Sequence, residues 1–338
     1  MGTRVLAWPA FKPETGNPYS ALLAGALERR GARVDEFSAT KLLRGHYDVW
    51  HLHWPERVAN RLLRVPVFAV LVLIARARRT RVVWTVHNLD GHFARRPRVE
   101  RGLMRWLSGR LDGIVGLSGS GIGAARRRYP ALEEAPAVVV PHGHYIGSYP
   151  NEIGPAEARA VLGLAATDRV VAFVGRIRTD KGVERLIREF RGLAEPGIRL
   201  VVAGLPASRE LALALERAAG NDERILLELR EIDDAELQVF LNAADVVALP
   251  YERILECGSA LLALSFGRPV LVPDTPSMRD LQEQIGSDAV LLFSGSLDLA
   301  SALSARVDAT ALIERVRERH DWDAIADRTL SLYAEASK

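Results

Sequence analysis

The stretch Phe173-Val-Gly-Arg-Ile-Arg-Thr-Asp-Lys-Gly182 decides the fold of this chain. Residues 170–174 form an apolar run that predicts a buried strand, Gly175 ends it, and a helical pattern begins at Lys181. Arg176 and Lys181 therefore bracket a loop between a strand and a helix. Doubly wound sheets bind ligands at such loops, beside helix N-termini that favour anions. An arginine fork with a lysine point charge suits a diphosphate, although two solvated charges on a tight turn give the same pattern.

The alternation of strands and helices extends along the whole chain. Apolar runs predict six strands in each half, with helical patterns between them. The predicted fold class is α/β, with two doubly wound, Rossmann-like domains facing across a cleft. We place an N-terminal domain at 1–150, a C-terminal domain at 151–320, and a terminal helix at 321–338 that packs back towards the first domain. The Gly, Ser, Pro and Asn residues near 147–155 mark the boundary.

Composition indicates a globular protein of a reducing compartment. The chain has 338 residues, of which 48% are hydrophobic, which suits two folded domains rather than a disordered chain. Its one cysteine, Cys257, excludes a disulfide framework. Pro9 and Pro13 interrupt any signal-peptide core, and the apolar run 65–75 is short of the roughly 20 residues that span a bilayer. We expect a cytoplasmic protein, acting either free or at the inner face of the cytoplasmic membrane.

Charge is divided unequally between the two halves. Residues 1–150 hold 23 Lys+Arg and 11 Asp+Glu (net +12), residues 151–338 hold 22 and 31 (net −9), and the sum is +3. The basic half should meet an anionic partner, such as a membrane, a phosphorylated lipid, an acidic sugar or nucleic acid. A helix is predicted over 57–77, with arginines on both sides of its apolar run. It fits either a basic helix at an anionic membrane or a core helix with solvated ends.

A second loop of the C-terminal half also suits a phosphate. Residues 249–260 lead from a predicted strand into a helix, where Gly258 permits close backbone approach and Ser259 is suited to capping. An ordinary helix start has the same sequence. By contrast, the segment after the first strand, 8–19, has one glycine and lacks the Gly-x-Gly-x-x-Gly pattern, which argues against a nicotinamide dehydrogenase.

Histidines of the N-terminal half are the candidate catalytic groups. His87 ends a predicted strand and is followed by Asp90. A histidine that titrates near neutral pH is a natural proton acceptor for an attacking hydroxyl, whereas a buried histidine bonded to backbone is the alternative. We expect only one of His51 and His53 to face the cleft, and choose His53 because it ends its strand. His144, at the domain junction, is the second candidate acceptor or cleft residue.

Three strings of the second half together resemble the donor half of GT-B nucleotide-sugar glycosyltransferases, in particular family 4 and its relatives. They are Gly175-Arg-Ile-Arg-Thr-Asp-Lys-Gly182, Ala244-Asp-Val-Val-Ala-Leu-Pro250 and Gly258-Ser-Ala-Leu-Leu-Ala-Leu-Ser-Phe-Gly-Arg-Pro-Val270. The resemblance covers nearly the whole chain and is strongest over 170–275. Strings of the first half are similar to bacterial exopolysaccharide enzymes, the xanthan-type β-mannosyltransferases that use GDP-mannose. These are His51-Leu-His-Trp-Pro-Glu56, Trp84-Thr-Val-His-Asn88 and Pro141-His-Gly-His-Tyr145.

The resemblance implies a hexosyltransferase that moves a sugar from a nucleotide-diphosphate donor to an acceptor hydroxyl. GDP-mannose or a UDP-sugar is the expected donor, and a glycan, lipid-linked or small-molecule compound the acceptor. No cofactor, metal site or required divalent metal is expected beyond this co-substrate, and contact with an anionic membrane is open. The donor-binding residues that the resemblance implies are Gly16, Asn17, Gly175, Arg176, Lys181, Ile232, Tyr251, Gly258 and Ser259. His87 or Asp90 would serve as the catalytic base of an inverting enzyme, and in a retaining enzyme His87 would position the sugar.

One departure from the family pattern leaves the mechanism open. Family 4 commonly has two glutamates eight residues apart, the second on the donor ribose, and this chain has Ile254 and Leu262 there. Both the ribose contact and the retaining stereochemistry are therefore uncertain. Two other functions also remain: a nucleotide-sugar 2-epimerase of the same fold, and a basic nucleic-acid-binding protein. The latter lacks the interleaved aromatic residues that single-strand binding uses.

Overall fold

The protein is described by a computed structural model that covers residues 2–12, 17–89, 96–195, 197–252, 254–255 and 258–336. The chain forms two compact units. Unit 1 consists of residues 1–143 together with 320–338, and unit 2 of residues 144–319. Residues 144–150 thus group with unit 2, where the backbone N–H of Tyr145 donates to the Ser265 hydroxyl at 3.0 Å.

Unit 1 contains a six-stranded parallel sheet in the order β2-β1-β3-β4-β5-β6. Its strands are β1 (Arg4–Trp8), β2 (Arg33–Glu36), β3 (Val49–Leu52), β4 (Arg81–Val86), β5 (Gly113–Gly116) and β6 (Ala137–Val139). Its first helices are α1 (Tyr19–Arg29), α2 (Ala39–Arg44), α3 (Arg64–Ala77), α4 (Pro97–Ser108) and α5 (Gly119–Arg128). Every residue of β3 and β5 is buried, as expected for parallel strands covered on both faces.

Unit 2 repeats this design with the strand order β12-β11-β10-β7-β8-β9. Its strands are β7 (Arg169–Val174), β8 (Ile198–Ala203), β9 (Ile225–Glu228), β10 (Val246–Ala248), β11 (Val270–Pro273) and β12 (Val290–Phe293). Its helices are α6 (Pro155–Val161), α7 (Val183–Arg191), α8 (Arg209–Ala219), α9 (Leu237–Ala243), α10 (Gly258–Ser265), α11 (Pro276–Ile285), α12 (Leu299–Ser304) and α13 (Ala309–Arg319). The prediction of two doubly wound sheets is confirmed.

The last helix, α14 (Trp322–Glu335), belongs to unit 1 although it follows unit 2 in the chain. The Asp321 carboxylate caps it by accepting the Ala324 N–H at 2.7 Å. Trp322 and Tyr333 are buried in one core cluster with Tyr19 of α1. A segment distant in sequence therefore completes the core of unit 1.

Two predicted helices begin later than the sequence suggests. The segment 57–77 is a 3-10 helix (Pro55–Asn60) followed by α3, because the backbone at Arg61 turns to an extended conformation with φ −125°. The helix predicted from Lys181 is a 3-10 turn that ends at Gly182, and α7 starts at Val183. Within the described residues, no helix combines the length and apolar character needed to cross a bilayer.

Candidate functional site

The strand order of unit 2 reverses at β7, which lies between β10 and β8. Ligands of doubly wound sheets bind at the carboxyl ends of strands where this reversal occurs. Two loops leave the sheet there: residues 175–182 after β7, and residues 249–259 after β10, of which 253, 256 and 257 lie outside the described residues. We call these two segments the switch-point loops. The Glu252 N–H donates to the Asp180 carbonyl oxygen at 3.0 Å and joins them.

Gly182 fixes the distance between the switch-point loops. It adopts φ 65°, a left-handed conformation that favours glycine. A Cβ atom at this position would also lie 2.1 Å from the carbonyl oxygen of Pro250. Both the conformation and the close approach therefore require glycine here, and they bring the end of one loop against the start of the other.

Three predicted donor-binding side chains meet at this point. The Lys181 Nζ lies 3.5 Å from the centroid of the Tyr251 ring, a cation–π contact. The Tyr251 hydroxyl lies 3.1 Å from the Ser259 hydroxyl, at the second residue of α10. Ser259 is therefore inside the first turn of α10 and bonded to a side chain. The N-cap residue of α7 is Gly182, which has no side chain that could accept the first N–H groups of this helix.

Arg176 differs from its neighbour Arg178. Arg178 and Asp180 form a bidentate ion pair with both distances at 2.9 Å. Arg176 is exposed, and the described part of the chain offers it no ion pair or hydrogen bond. An exposed cation at the end of β7, unpaired among the described residues, is suited to an external anion.

The other predicted donor residues are less closely grouped. Gly175 ends β7 with φ 136°, and Gly258 is the first residue of α10. Ile232 is half-buried in the loop after β9, two strands away from β7. The Asn17 side chain accepts the Tyr19 N–H at 2.9 Å at the start of α1. Gly16 lies outside the described residues.

A buried group of histidines occupies unit 1, near the point where its strand order reverses between β1 and β3. We call His51, His53, His87 and His142 the histidine cluster; each is 9% exposed or less. The His53 Nδ1 lies 3.1 Å from the His87 Nε2, so one nitrogen donates and the other accepts. The Trp54 ring stacks on His87 with a centroid separation of 4.5 Å. The predicted candidates His53 and His87 are thus brought together.

His51 and His53 lie on the same side of their strand, because residues two apart in a strand point to the same face, and their ring centroids are 4.4 Å apart. That only one of them, His53, faces the cleft stays a prediction. His144 belongs to unit 2, where its Nδ1 accepts the Ile146 N–H at 3.2 Å. Asp90 lies outside the described residues.

Burial keeps the histidine cluster neutral. It lowers the pKa of His51 to about 3 and of His142 to about 4. Burial, with a smaller contribution from neighbouring histidines, holds the pKa of His87 well below its usual value. The expectation that His87 titrates near neutral pH was therefore wrong. A neutral imidazole nevertheless has a lone pair that can accept a proton.

One buried carboxyl group in the same unit shifts in the opposite direction. Burial of Glu56, with nearby Glu100 as a further cause, raises the pKa of the Glu56 carboxyl to about 8. Glu56 is 4% exposed and lies two residues after Trp54. It is therefore held in the neutral, protonated form at pH 7, and the sequence did not single it out.

These shifts predict acid sensitivity of unit 1. The pKa values of the four clustered histidines are depressed, so below about pH 6.5 the unfolded chain binds up to four more protons, and the raised Glu56 pKa makes it bind one fewer. The folded state therefore binds fewer protons than the unfolded chain below about pH 6.5, and the free energy of unfolding falls as the pH falls, by about 1.4 kcal/mol per pH unit for each net proton.

Urea unfolding measures this pH dependence. The free energy of unfolding is determined at about pH 7.5, 6.5 and 5.5, the range in which the shifted groups differ in protonation between the folded and unfolded states. His142→Gln should make the dependence shallower, since one titrating group is lost. The matched change at His46, an exposed histidine outside the cluster, should leave it unchanged. A free energy of unfolding independent of pH would show that the cluster is protonated in the folded protein.

Sequence reasoning missed several residues of the cluster's surroundings. The Tyr19 ring centroid lies 4.9 Å from that of His87 and 4.8 Å from that of His142. His142 follows β6 and could have been found as the first histidine after that strand. The Tyr333 hydroxyl lies 2.7 Å from the His51 Nδ1, and the His51 Nε2 2.6 Å from the Thr85 hydroxyl. Nothing local in the sequence indicates the Tyr333 contact.

A metal centre is not apparent in the described residues, because no three His, Cys, Asp or Glu side chains there lie close enough together to hold an ion.

Comparison with known proteins identifies the family. Residues 156–291, which include both switch-point loops, match the family described as glycosyl transferases group 1. The GDP-mannose:glycolipid 4-beta-D-mannosyltransferase of Xanthomonas campestris pv. campestris is 31% identical over 95% of this chain and 88% of its own length. The alpha-maltose-1-phosphate synthase of Mycolicibacterium smegmatis is 28% identical over 86% of this chain and 79% of its own length.

Solved structures show the fold. A sucrose-phosphate synthase from Thermosynechococcus elongatus superposes with a TM-score of 0.73 at 19% identity, covering 99% of both chains. Anabaena HepE in complex with UDP and glucose gives 0.71 at 16% identity, covering 98% of this chain and 100% of its own. These likenesses agree with a GT-B fold of two Rossmann-like domains. The chain belongs to the group 1 glycosyl transferases and is a hexosyltransferase.

Proposed function

We propose that this glycosyltransferase moves mannose from GDP-mannose to a hydroxyl of a lipid-linked glycan in exopolysaccharide synthesis. Unit 2 binds the nucleotide sugar and unit 1 the acceptor. The name of the Xanthomonas relative gives GDP-mannose as its donor and a glycolipid as its acceptor, and the likeness extends over 95% of this chain. That relative supports the choice of substrates.

The observation that carries the donor assignment is the meeting of Lys181, Tyr251 and Ser259 at the carboxyl ends of β7 and β10. In the proposed complex, Lys181 and Arg176 bind the diphosphate, together with N–H groups at the starts of α7 and α10. Negative charge grows on the departing GDP as the glycosidic bond breaks. Preorganised cations stabilise that charge where it develops.

We also propose that the reaction requires no divalent metal, because these two side chains supply the positive charge that a metal would provide. Arg176 supplies a planar fork and Lys181 a compact charge, so together they neutralise a diphosphate in the way that a cation does elsewhere. The remaining donor contacts in this proposal are Ile232 along the nucleobase and Asn17 at the sugar or phosphate.

In this proposal the histidine cluster forms part of the acceptor site and provides the catalytic base. GDP-mannose carries its sugar in the α configuration, so a β-linked product requires inversion and a base for the acceptor hydroxyl. We assign that base to His87, whose ring is neutral and is held by His53 and Trp54. With its Nε2 proton donated to His53, the Nδ1 lone pair of His87 takes the hydroxyl proton. The wider acceptor site includes His53, with His144 as a further candidate.

A thermal-shift screen against GDP, UDP, ADP and TDP tests the donor assignment. A ligand that binds only the folded state raises the apparent stability, so we expect the largest shift with GDP. Arg306→Ala is a suitable control variant, because Arg306 is exposed and distant in sequence from the switch-point loops. It is close in sequence to Ala309, which packs against Gly267 just before β11, at the amino edge of the sheet. Equal shifts with all four nucleotides, or none, would reject GDP as the donor nucleotide.

The epimerase alternative is separated from transfer by incubation with labelled donor alone. An epimerase converts GDP-mannose without an acceptor, whereas the proposed transferase produces only slow hydrolysis until an acceptor is added. The relative at 31% identity is a transferase, so we expect slow hydrolysis of the donor rather than its epimerisation. The proposal places the enzyme in the cytoplasm, at the inner face of the membrane that holds its acceptor.

A further inference from the structure

Helix α3 of unit 1 exposes an apolar face to solvent. Its inner face is buried through Phe68, Leu71, Val72 and Ala75. Its outer face is apolar as well, with exposed fractions of 88% for Leu63, 57% for Val67, 53% for Val70 and 50% for Leu73. A surface helix of a globular protein usually carries charged or polar residues on that side. This helix is apolar on both sides, and among the described residues of unit 1 only its inner side is covered.

A neighbouring helix extends the apolar surface. Leu43 of α2 is 45% exposed and lies beside α3. Between the two helices runs an open groove of about 340 Å³. Its lining is Leu43, Pro66, Val67, Val70, Leu71 and Ile74, all apolar. We call Leu63 together with these six residues and Leu73 the α3 surface.

Arginines lie at both ends of the α3 surface. Arg61 and Arg64 are exposed at the N-terminal end of α3, and Arg78 and Arg79 are exposed at its C-terminal end. Residues 57–81 include no aspartate or glutamate. A helix of 14 residues is about 21 Å long, so the apolar strip ends in positive charge at each side.

We propose that the α3 surface docks on an anionic lipid bilayer, with α3 lying flat in the headgroup layer. Its exposed leucine and valine side chains enter the acyl boundary, and the arginine stems reach outward so that their guanidinium groups meet lipid phosphates. The surface supplies both the apolar area and the charge that interfacial helices use. This inference deepens the proposed function, since a lipid-linked acceptor is held in such a membrane.

The topology of unit 1 connects this surface with the histidine cluster. β3 and β4 are parallel, and α3 is the helix between them, so it returns from the carboxyl edge of the sheet to the amino edge. The N-terminal end of α3, with Leu63, therefore lies towards the edge at which His53 and His87 follow their strands. A glycan extending from a docked membrane is then presented to that edge.

A second copy of the chain is a poorer partner for the α3 surface. In a twofold dimer the same patch occurs on both subunits, so two arginine-bracketed strips would face each other. The facing arginines would repel one another, and residues 57–81 contain no acidic side chain to offset their charge. Anionic headgroups complement the same charges.

Cosedimentation of the full-length protein with vesicles tests the proposal. We expect binding to mixed phosphatidylcholine and phosphatidylglycerol vesicles, and weaker binding to phosphatidylcholine alone. The double variant Leu63→Gln/Val70→Gln should lower partitioning by at least about tenfold, because two apolar side chains are lost. The matched control is Val161→Gln/Leu213→Gln, at exposed positions of unit 2 (64% and 45% exposed), which should bind as the wild type does.

A charge variant separates the contribution of the arginines to vesicle binding from that of the apolar side chains. Arg61→Gln/Arg64→Gln should weaken binding to the anionic vesicles by about fivefold per arginine. It should have little effect with phosphatidylcholine alone, and Arg209→Gln/Arg306→Gln, exposed arginines of unit 2, is its control.

Two results would overturn the docking surface: equal vesicle binding by all variants, or a dimer of the wild type in solution that Leu63→Gln/Val70→Gln dissociates. The GDP thermal shift measured on the same proteins keeps the two proposals apart. A variant that loses vesicle binding and retains the GDP shift supports docking through α3. A wild type that binds vesicles and shows no GDP shift rejects the donor assignment alone.

Discussion

Replacing Lys181 with alanine should lower turnover by about two to three orders of magnitude, the usual cost of removing one preorganised donor at a site of developing charge. It should also remove most of the thermal shift caused by GDP. The Lys181 ammonium lies 3.5 Å from the centroid of the Tyr251 ring, in the loop where the diphosphate is proposed to bind, so its loss removes a positive charge from the proposed donor site. Nucleotide titration and steady-state kinetics measure both effects.

Two further variants make the Lys181 experiment specific. Lys181→Arg keeps the charge but changes its shape, and should retain part of the GDP shift. Arg306→Ala removes an exposed cation of the same unit and should leave both measurements unchanged. A Lys181→Ala protein that binds GDP and turns over as the wild type does would reject the assignment of the diphosphate to the switch-point loops.

His87→Gln should reduce turnover by about two to four orders of magnitude while the GDP shift is retained, because a proton acceptor is lost and the donor site is in the other unit. Glutamine preserves much of the side-chain volume and a hydrogen-bonding group opposite His53. The variant therefore separates loss of the base from loss of packing.

His51→Gln is the matched control, since His51 is fully buried in the same cluster and is bonded to Tyr333 and Thr85 rather than proposed as the base. Its turnover should fall by no more than about tenfold, well below the usual contribution of a general base. Equal losses in the two variants would mean that the cluster is structural. Near-normal turnover of His87→Gln would remove His87 from the mechanism.

The strands and several helices could be predicted from the sequence, whereas the two shortest helices and the start of α7 could not. A parallel strand buried on both faces gives a continuous apolar run, such as 170–174, that needs no tertiary information. Helices α2 and α12 have six residues each, fewer than two turns, so they show no periodic pattern. At Gly182 the deciding contact is with Pro250, which is distant in sequence.

The same distinction applies to the candidate site. Lys181, Tyr251 and Ser259 could be grouped because carboxyl ends of parallel strands meet at one sheet edge. The charge state of His87 could not be read from its position at a strand end, because it depends on how many neighbours exclude water. The His51–Tyr333 contact joins residues 282 positions apart. Only the folded chain reveals it.

The return of α14 to unit 1 has a consequence for biosynthesis. The six strands of unit 1 leave the ribosome before any residue of unit 2, yet Trp322 and Tyr333 are translated after it. Residues 144–319 form a contiguous stretch that can fold while the nascent chain is still growing. The half of the enzyme that is made first is thus completed last, and its core lacks Trp322 and Tyr333 until the end of the chain has been translated.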